Sequence, residues 1–94
     1  MIASSYLRSH EIAVCRRNQA KHASDARYYA AAAAFDLLSG SIASAAQMTL
    51  VSVRQATMSA AWRAMADGLE DGTSEAGVIS TGHAARETHA RGMA

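Results

Sequence analysis

Two side chains near the start of the chain have the types needed to act on a phosphodiester. Arg17 and His22 stand five residues apart in the segment RNQAKH. A histidine can move a proton near neutral pH, and an arginine can bind phosphate oxygens. On an ideal helix the two side chains lie about 140° apart, so they converge only through their length or through a second subunit.

This arrangement resembles the active-site motif of HEPN-type ribonucleases, in which an arginine and a polar residue precede a histidine. That family is helical and often dimeric, and its arginine and histidine act on scissile phosphates of RNA at the dimer interface. The resemblance covers six residues and implies a small dimeric ribonuclease with Arg17 and His22 as catalytic residues. The simpler interpretation is a solvated basic face, and we favour it.

Few other residues have metal-binding or nucleophilic character. His83 and Glu87 would share one face of a helix at i, i+4, but two ligands do not make a metal site. Cys15 is the only cysteine, which excludes an intrachain disulfide, and its place on an apolar stripe predicts core packing. No glycine-rich phosphate loop is present. We therefore expect no metal and no cofactor.

Composition restricts the class of protein further. Nine basic and eight acidic residues give a net charge of +1, so the strongly basic balance typical of nucleic-acid binding is missing. The N-terminus lacks the pattern of a signal peptide, which predicts a cytoplasmic protein, with secretion by a leaderless route left open. Ninety-four residues rich in alanine offer few bulky core side chains, so we expect a protein partner or self-association to complete the core.

The segment Tyr28–Val53 dominates the architecture because its only charged residue is Asp36. Alanine favours helix, and Gly40 between two serines is a strong stop-and-restart signal. The sequence predicts an all-α fold, an antiparallel helical hairpin that forms a dimeric bundle. Its helices are expected at about 5–38 and 41–67.

The hairpin is expected to occupy residues 1–69, with its turn at 39–41, and two points of its organisation are left open. The first helix could break near Ser24, which would give three helices. A glycine-punctuated tail at 70–94 could carry a short helix at 82–91.

The spacing of small and large residues predicts which faces of the helices meet. We expect small residues that recur through the second helix to form a close seam with the first. They are Ala46, Thr49, Val53, Ala56, Ala60 and Ala64. The larger side chains would then form an exposed strip for a partner, with Trp62 as its anchor. That strip comprises Met58, Trp62, Met65 and Leu69.

The sequence therefore predicts a non-enzymatic protein–protein interaction or assembly module that acts through helix packing. The alternative is the dimeric ribonuclease described above. A further alternative is a membrane-associated hairpin, since Leu37–Val53 carries no charge. At seventeen residues this segment is shorter than the roughly 20 apolar residues of a membrane span.

Overall fold

The described part of the chain folds as two long α-helices that run antiparallel. The computed structural model describes residues 2–72, with α1 at Ile2–Leu38 and α2 at Ile42–Asp71. No strand occurs among these residues. The predicted all-α hairpin is confirmed.

The first helix is continuous, so the alternative of a break near Ser24 is wrong. Ser24 and its neighbour Asp25 are favourable N-cap residues, but α1 passes through both. The reason is tertiary: Ala26 and Gln19, on either side of this point, both contact α2 through their backbone carbonyls. Packing along the partner helix outweighs the local capping preference.

The second helix is longer than predicted. It continues past residue 67 to Asp71, and Gly68 lies buried within it. A glycine inside a helix costs about 1 kcal/mol relative to alanine, which the burial of the adjacent Leu69 offsets. The helix ends at Gly72, whose φ of 81° is left-handed. The remainder of the predicted tail, including the helix at 82–91, lies outside the described residues.

The turn has the hydrogen bonds of a Schellman motif. Gly40 has a φ of 82°, its N–H donates to the carbonyl of Leu37 at 3.1 Å, and the N–H of Ser41 donates to the carbonyl of Asp36 at 2.8 Å. The hydroxyl of Ser44 in α2 donates to the Asp36 carboxylate at 2.6 Å. These bonds end α1 and fix where α2 begins.

Replacing Gly40 tests this description of the turn. We expect Gly40→Ala to lower the free energy of unfolding by about 1 kcal/mol, since the left-handed conformation is unfavourable for a residue with a Cβ atom. Ser41→Ala is a matched control with a smaller expected effect, because Ser41 makes no side-chain cap bond. Urea unfolding followed by circular dichroism measures both. Equal losses in the two variants would contradict the assigned role of Gly40.

The two helices meet along a seam with alternating spacings of three and four residues. Every position in it is buried or half-buried, which is the pattern of a heptad-type helix pair. On α1 the seam residues are Ile12, Cys15, Gln19, His22, Ala26, Tyr29, Ala33 and Asp36. On α2 they are Ala45, Met48, Ser52, Gln55, Ser59, Trp62, Ala66 and Leu69.

The middle of the seam is polar. The Ser52 hydroxyl donates to the carbonyl of Ala26 at 2.7 Å, and the Ser59 hydroxyl donates to the carbonyl of Gln19 at 2.9 Å. Between them, Nδ1 of His22 lies 2.6 Å from Oε1 of Gln55. Each of these three contacts joins one position on α1 to one position on α2. Together they fix the register of the two helices.

The predicted seam on α2 is wrong. The small residues expected there are exposed instead: Ala46, Thr49, Val53, Ala56, Ala60 and Ala64. The inward face is rotated from them by about one residue, about 100° on the helix. Ser52 and Ser59 face α1 instead, where their hydroxyls donate to backbone carbonyls. Serines therefore lie on the inward face of α2, which the sequence had suggested for alanines.

The open end of the hairpin, away from the turn, holds most of the apolar core. Cys15, Ala66 and Leu69 are fully buried there. The half-buried side chains of Ile12, Trp62 and Met65 pack against them.

One arginine links the helices beside this core. Arg16 lies 2.9 Å from carboxylate oxygens of both Asp67 and Glu70, and these contacts raise the pKa of its guanidinium. All three side chains are substantially exposed, so the ion pairs orient the helices more than they stabilise them.

Candidate interaction surface

Exposed apolar side chains concentrate around the turn. Among the described residues, seven of the ten exposed large hydrophobic side chains fall within Tyr28–Val53, the segment whose only charge is Asp36. Leu38 is 89% exposed and Ile42 is 71% exposed. Since so few of the turn-end side chains are buried, this half of the hairpin has little core of its own.

A shallow groove crosses both helices at this end. It encloses about 450 Å³, and we call it the tip groove. Seven of its eight lining residues are apolar, and the eighth is Thr49. The tip groove is lined by Ala30, Ala33, Ala34, Leu37, Ile42, Ala45, Ala46 and Thr49.

A second groove, of about 230 Å³, lies on the opposite face of the seam and nearer the open end. We call it the Met–Trp groove. It brings three of the four residues predicted for partner binding together with His22, one of the two predicted catalytic residues. Its lining residues are Asn18, His22, Met58, Ala61, Trp62 and Met65.

The predicted partner strip is therefore smaller than expected. Leu69 has no exposed surface because it packs against Cys15 and Ala66. The expectation that Leu69 is exposed is wrong. Met58 is 39% exposed, and Trp62 and Met65 are half-buried against the core. These three remain accessible to a partner.

The predicted ribonuclease residues do not face the same way. His22 lies in the seam, with Nδ1 beside Oε1 of Gln55, whereas Arg17 is exposed on the outer surface of α1. Because the helix is continuous, the angle of about 140° between them holds. The single hairpin does not assemble an Arg–His pair, and a pair formed across a dimer stays a prediction.

Cys15 lies in the core and its chemistry is suppressed. Burial raises the pKa of the Cys15 thiol, and the charge of Glu11 acts in the same direction. A raised pKa keeps the thiol protonated and therefore a weak nucleophile. The structure thus agrees with the packing role that the sequence predicts for this cysteine.

The raised thiol pKa predicts how stability depends on pH. The folded thiol keeps its proton where the unfolded one loses it. The thiol's contribution to the free energy of unfolding is therefore fully present below the ordinary thiol pKa of 9.0. This contribution is lost as the pH rises from 9.0 toward the raised pKa of the folded protein. Urea midpoints measured from about pH 7 to pH 10 should fall more steeply for the natural chain than for Cys15→Ala. Parallel curves would contradict the prediction.

No cluster of three or more histidine, cysteine, aspartate or glutamate side chains suited to a metal ion occurs in the part of the chain that the structure describes. Neither α1 nor α2 has a stretch that is both long and apolar enough to cross a membrane.

Comparisons with family models, with curated proteins and with solved structures find no match to this chain. Its function is therefore argued from the hairpin alone.

Sequence reasoning missed the tip groove. The available signal was the position of Leu37 and Ile42 on either side of the turn, in a segment with a single charge. Assigning the alanine stripe of α2 to the inside of the hairpin hid this signal. Once the polar seam places serines inward, Ala46, Ala56 and Ala60 are left on the surface.

Proposed function

We propose that this protein is a non-enzymatic assembly module that contributes two helices to a larger helical bundle. The observation that carries the proposal is the exposed apolar surface around the turn, in a segment with one charge. A helical surface of this kind is stabilised when the helices of another chain cover it.

The free energy available from burying these exposed side chains supports an assembly function. Leu37 is 61% exposed, Leu38 is 89% exposed and Ile42 is 71% exposed. Complete burial of a side chain of this type is worth about 1.5–3 kcal/mol. Three such residues within six positions, beside a groove in which five of the eight lining residues are alanine, provide several kilocalories per mole for association.

The Met–Trp groove supplies a second surface for the same function. Trp62 and Met65 keep part of their surface open above the core, and Met58 stands at the rim. A half-buried tryptophan is a rigid anchor, and methionines adapt to the shape of a partner. Assembly through two opposite faces would let the hairpin sit inside a bundle rather than at its edge.

Photo-crosslinking tests the proposal. A benzophenone amino acid in place of Ile42 should yield an adduct larger by the mass of one protein chain in cells that make the protein. The same amino acid in place of Ala64, which is exposed and lines neither groove, is the control and should yield none. Failure to form any protein adduct at position 42 would refute the assembly function, and adducts with lipid alone would favour the membrane-associated hairpin.

The ribonuclease alternative has its own test. Arg17→Ala and His22→Ala should leave RNA turnover by the purified protein at background, as for the natural chain. Cleavage that is present in the natural chain and lost in either variant would establish catalysis and displace the assembly function.

A further inference from the structure

We propose that the tip groove is covered by the tip groove of a second copy of this chain, which gives a face-to-face dimer of hairpins. This inference rests on the proposed function and names the partner. It concerns one face of the molecule, the dimer face, which contains the tip groove and the exposed helix positions in line with it.

The dimer face runs well beyond the groove. Residues seven apart share a helix position, so the positions that line the groove recur along both helices. On α2 the dimer face comprises Ile42, Ala46, Thr49, Val53, Ala56 and Ala60, all exposed. On α1 it comprises Ala20, Ala23, Arg27, Ala30, Ala34 and Leu37, of which only Ala23 is half-buried.

A two-fold axis parallel to the hairpin makes this face complementary to itself. Such an axis brings the two turns to the same end and lays α1 of each copy over α2 of the other. The large residues beside the turn, Leu37 and Ile42, then meet across the interface. Farther along, the alanines of α1 lie over Ala46, Thr49, Val53, Ala56 and Ala60, which are small or medium-sized and so allow a close approach of the helix axes.

The charge distribution fits this arrangement. Arg27 is the only charged residue on the dimer face. The two-fold axis parallel to the hairpin holds the two Arg27 side chains at opposite edges of the dimer, where they reach water. An axis across the hairpin at the level of the groove would instead stack α1 on α1 and overlap the two copies only near their turns, because the groove lies only about five residues from the turn. Most of the dimer face would then stay uncovered, so the parallel arrangement is the one we infer.

The area of the face reaches the minimum that a specific dimer interface needs. The stretch 42–60 on α2 is about 28 Å long, and two packed helices are about 18 Å wide. The footprint is therefore about 500 Å² on each copy, or about 1,000 Å² in total, which is the lower bound for a specific interface. The ridges of a helical surface add to this footprint.

The mass of the full chain in solution tests the inference, by light scattering over a concentration series. The natural chain should be a dimer at about 100 μM, whereas Ala46→Glu, which buries two carboxylates in the interface, should raise the dissociation constant at least about 100-fold. Gln47→Glu is the matched control, because Gln47 is exposed and lies about 100° around α2 from Ala46, outside the dimer face, and it should dimerise as the natural chain does. Circular dichroism should show equal helicity in all three.

A natural chain that is monomeric at this concentration, or Ala46→Glu that dimerises normally, would overturn the inference. The assembly function is distinguishable from it: a monomeric chain that still forms photo-adducts with another protein from position 42 retains the function and loses only the second copy as partner.

The direction of packing has a separate test. Mixed samples of Ala30→Cys and Thr49→Cys should form disulfides between the two variants more readily than within either one, since each residue lies over the other in the parallel arrangement. The natural cysteine does not interfere, because Cys15 is buried. A preference of Thr49→Cys for linking to itself would overturn the proposed axis.

Discussion

Leu69→Ala is expected to lower the free energy of unfolding by about 2–5 kcal/mol. Leu69 is fully buried, and its fully buried neighbours are only a cysteine and an alanine. Because these fully buried neighbours are small, they fill little of the cavity that the substitution leaves, and the larger Ile12, Trp62 and Met65 pack against the cluster only from its half-buried edge. The core of a two-helix hairpin also contains few other buried side chains, so little remaining packing can compensate for the lost stability.

Urea unfolding of Leu69→Ala measures this loss directly. Leu50→Ala removes the same atoms from a side chain that is 66% exposed and lines neither groove, so a change below about 1 kcal/mol is expected. A similar loss in both variants would mean that the core at the open end does not hold the helices together.

The double variant His22→Leu, Gln55→Leu is expected to raise the free energy of unfolding by about 2 kcal/mol. In the natural chain these side chains meet in the half-buried centre of the seam, with Nδ1 and Oε1 2.6 Å apart. Exchanging both for apolar residues of similar size removes two desolvated polar groups and adds buried apolar surface. The natural pair therefore contributes to register at a cost in stability.

The single variant Gln55→Leu provides the control for this pair. It leaves His22 half-buried without its hydrogen-bond partner, so its stability should be lower than that of the double variant by about 1–3 kcal/mol. Urea unfolding of the two variants and the natural chain measures both differences. A double variant that is less stable than the natural chain would show that the polar pair stabilises the hairpin.

The hairpin could be predicted from the sequence because its signals are local. Alanine-rich helices, the absence of proline and the Gly40 turn act within a few residues, and the structure contains the helices and the Schellman motif that they imply. Cys15 could be assigned to the core for the same reason, since its stripe of apolar neighbours is visible in the sequence.

The inward face of α2 could not be predicted because it depends on the partner helix. Ser52 and Ser59 point inward only because carbonyls of α1 at Ala26 and Gln19 accept their hydrogen bonds. A search for apolar periodicity in one helix places such residues outside. The resulting rotation of about 100° assigned the alanine stripe to the core and Leu69 to the surface, and both assignments were wrong.

The measurement that most directly tests the central claim, that the tip groove is covered when the protein works, is the alkylation rate of a cysteine introduced at position 46. Ala46→Cys should react with maleimide at least about tenfold more slowly in cells that make the protein than in the purified chain diluted to a monomer. Ala64→Cys should react at the same rate in both. Equal rates at position 46 in the two settings would contradict the claim, since they would show that nothing covers the groove.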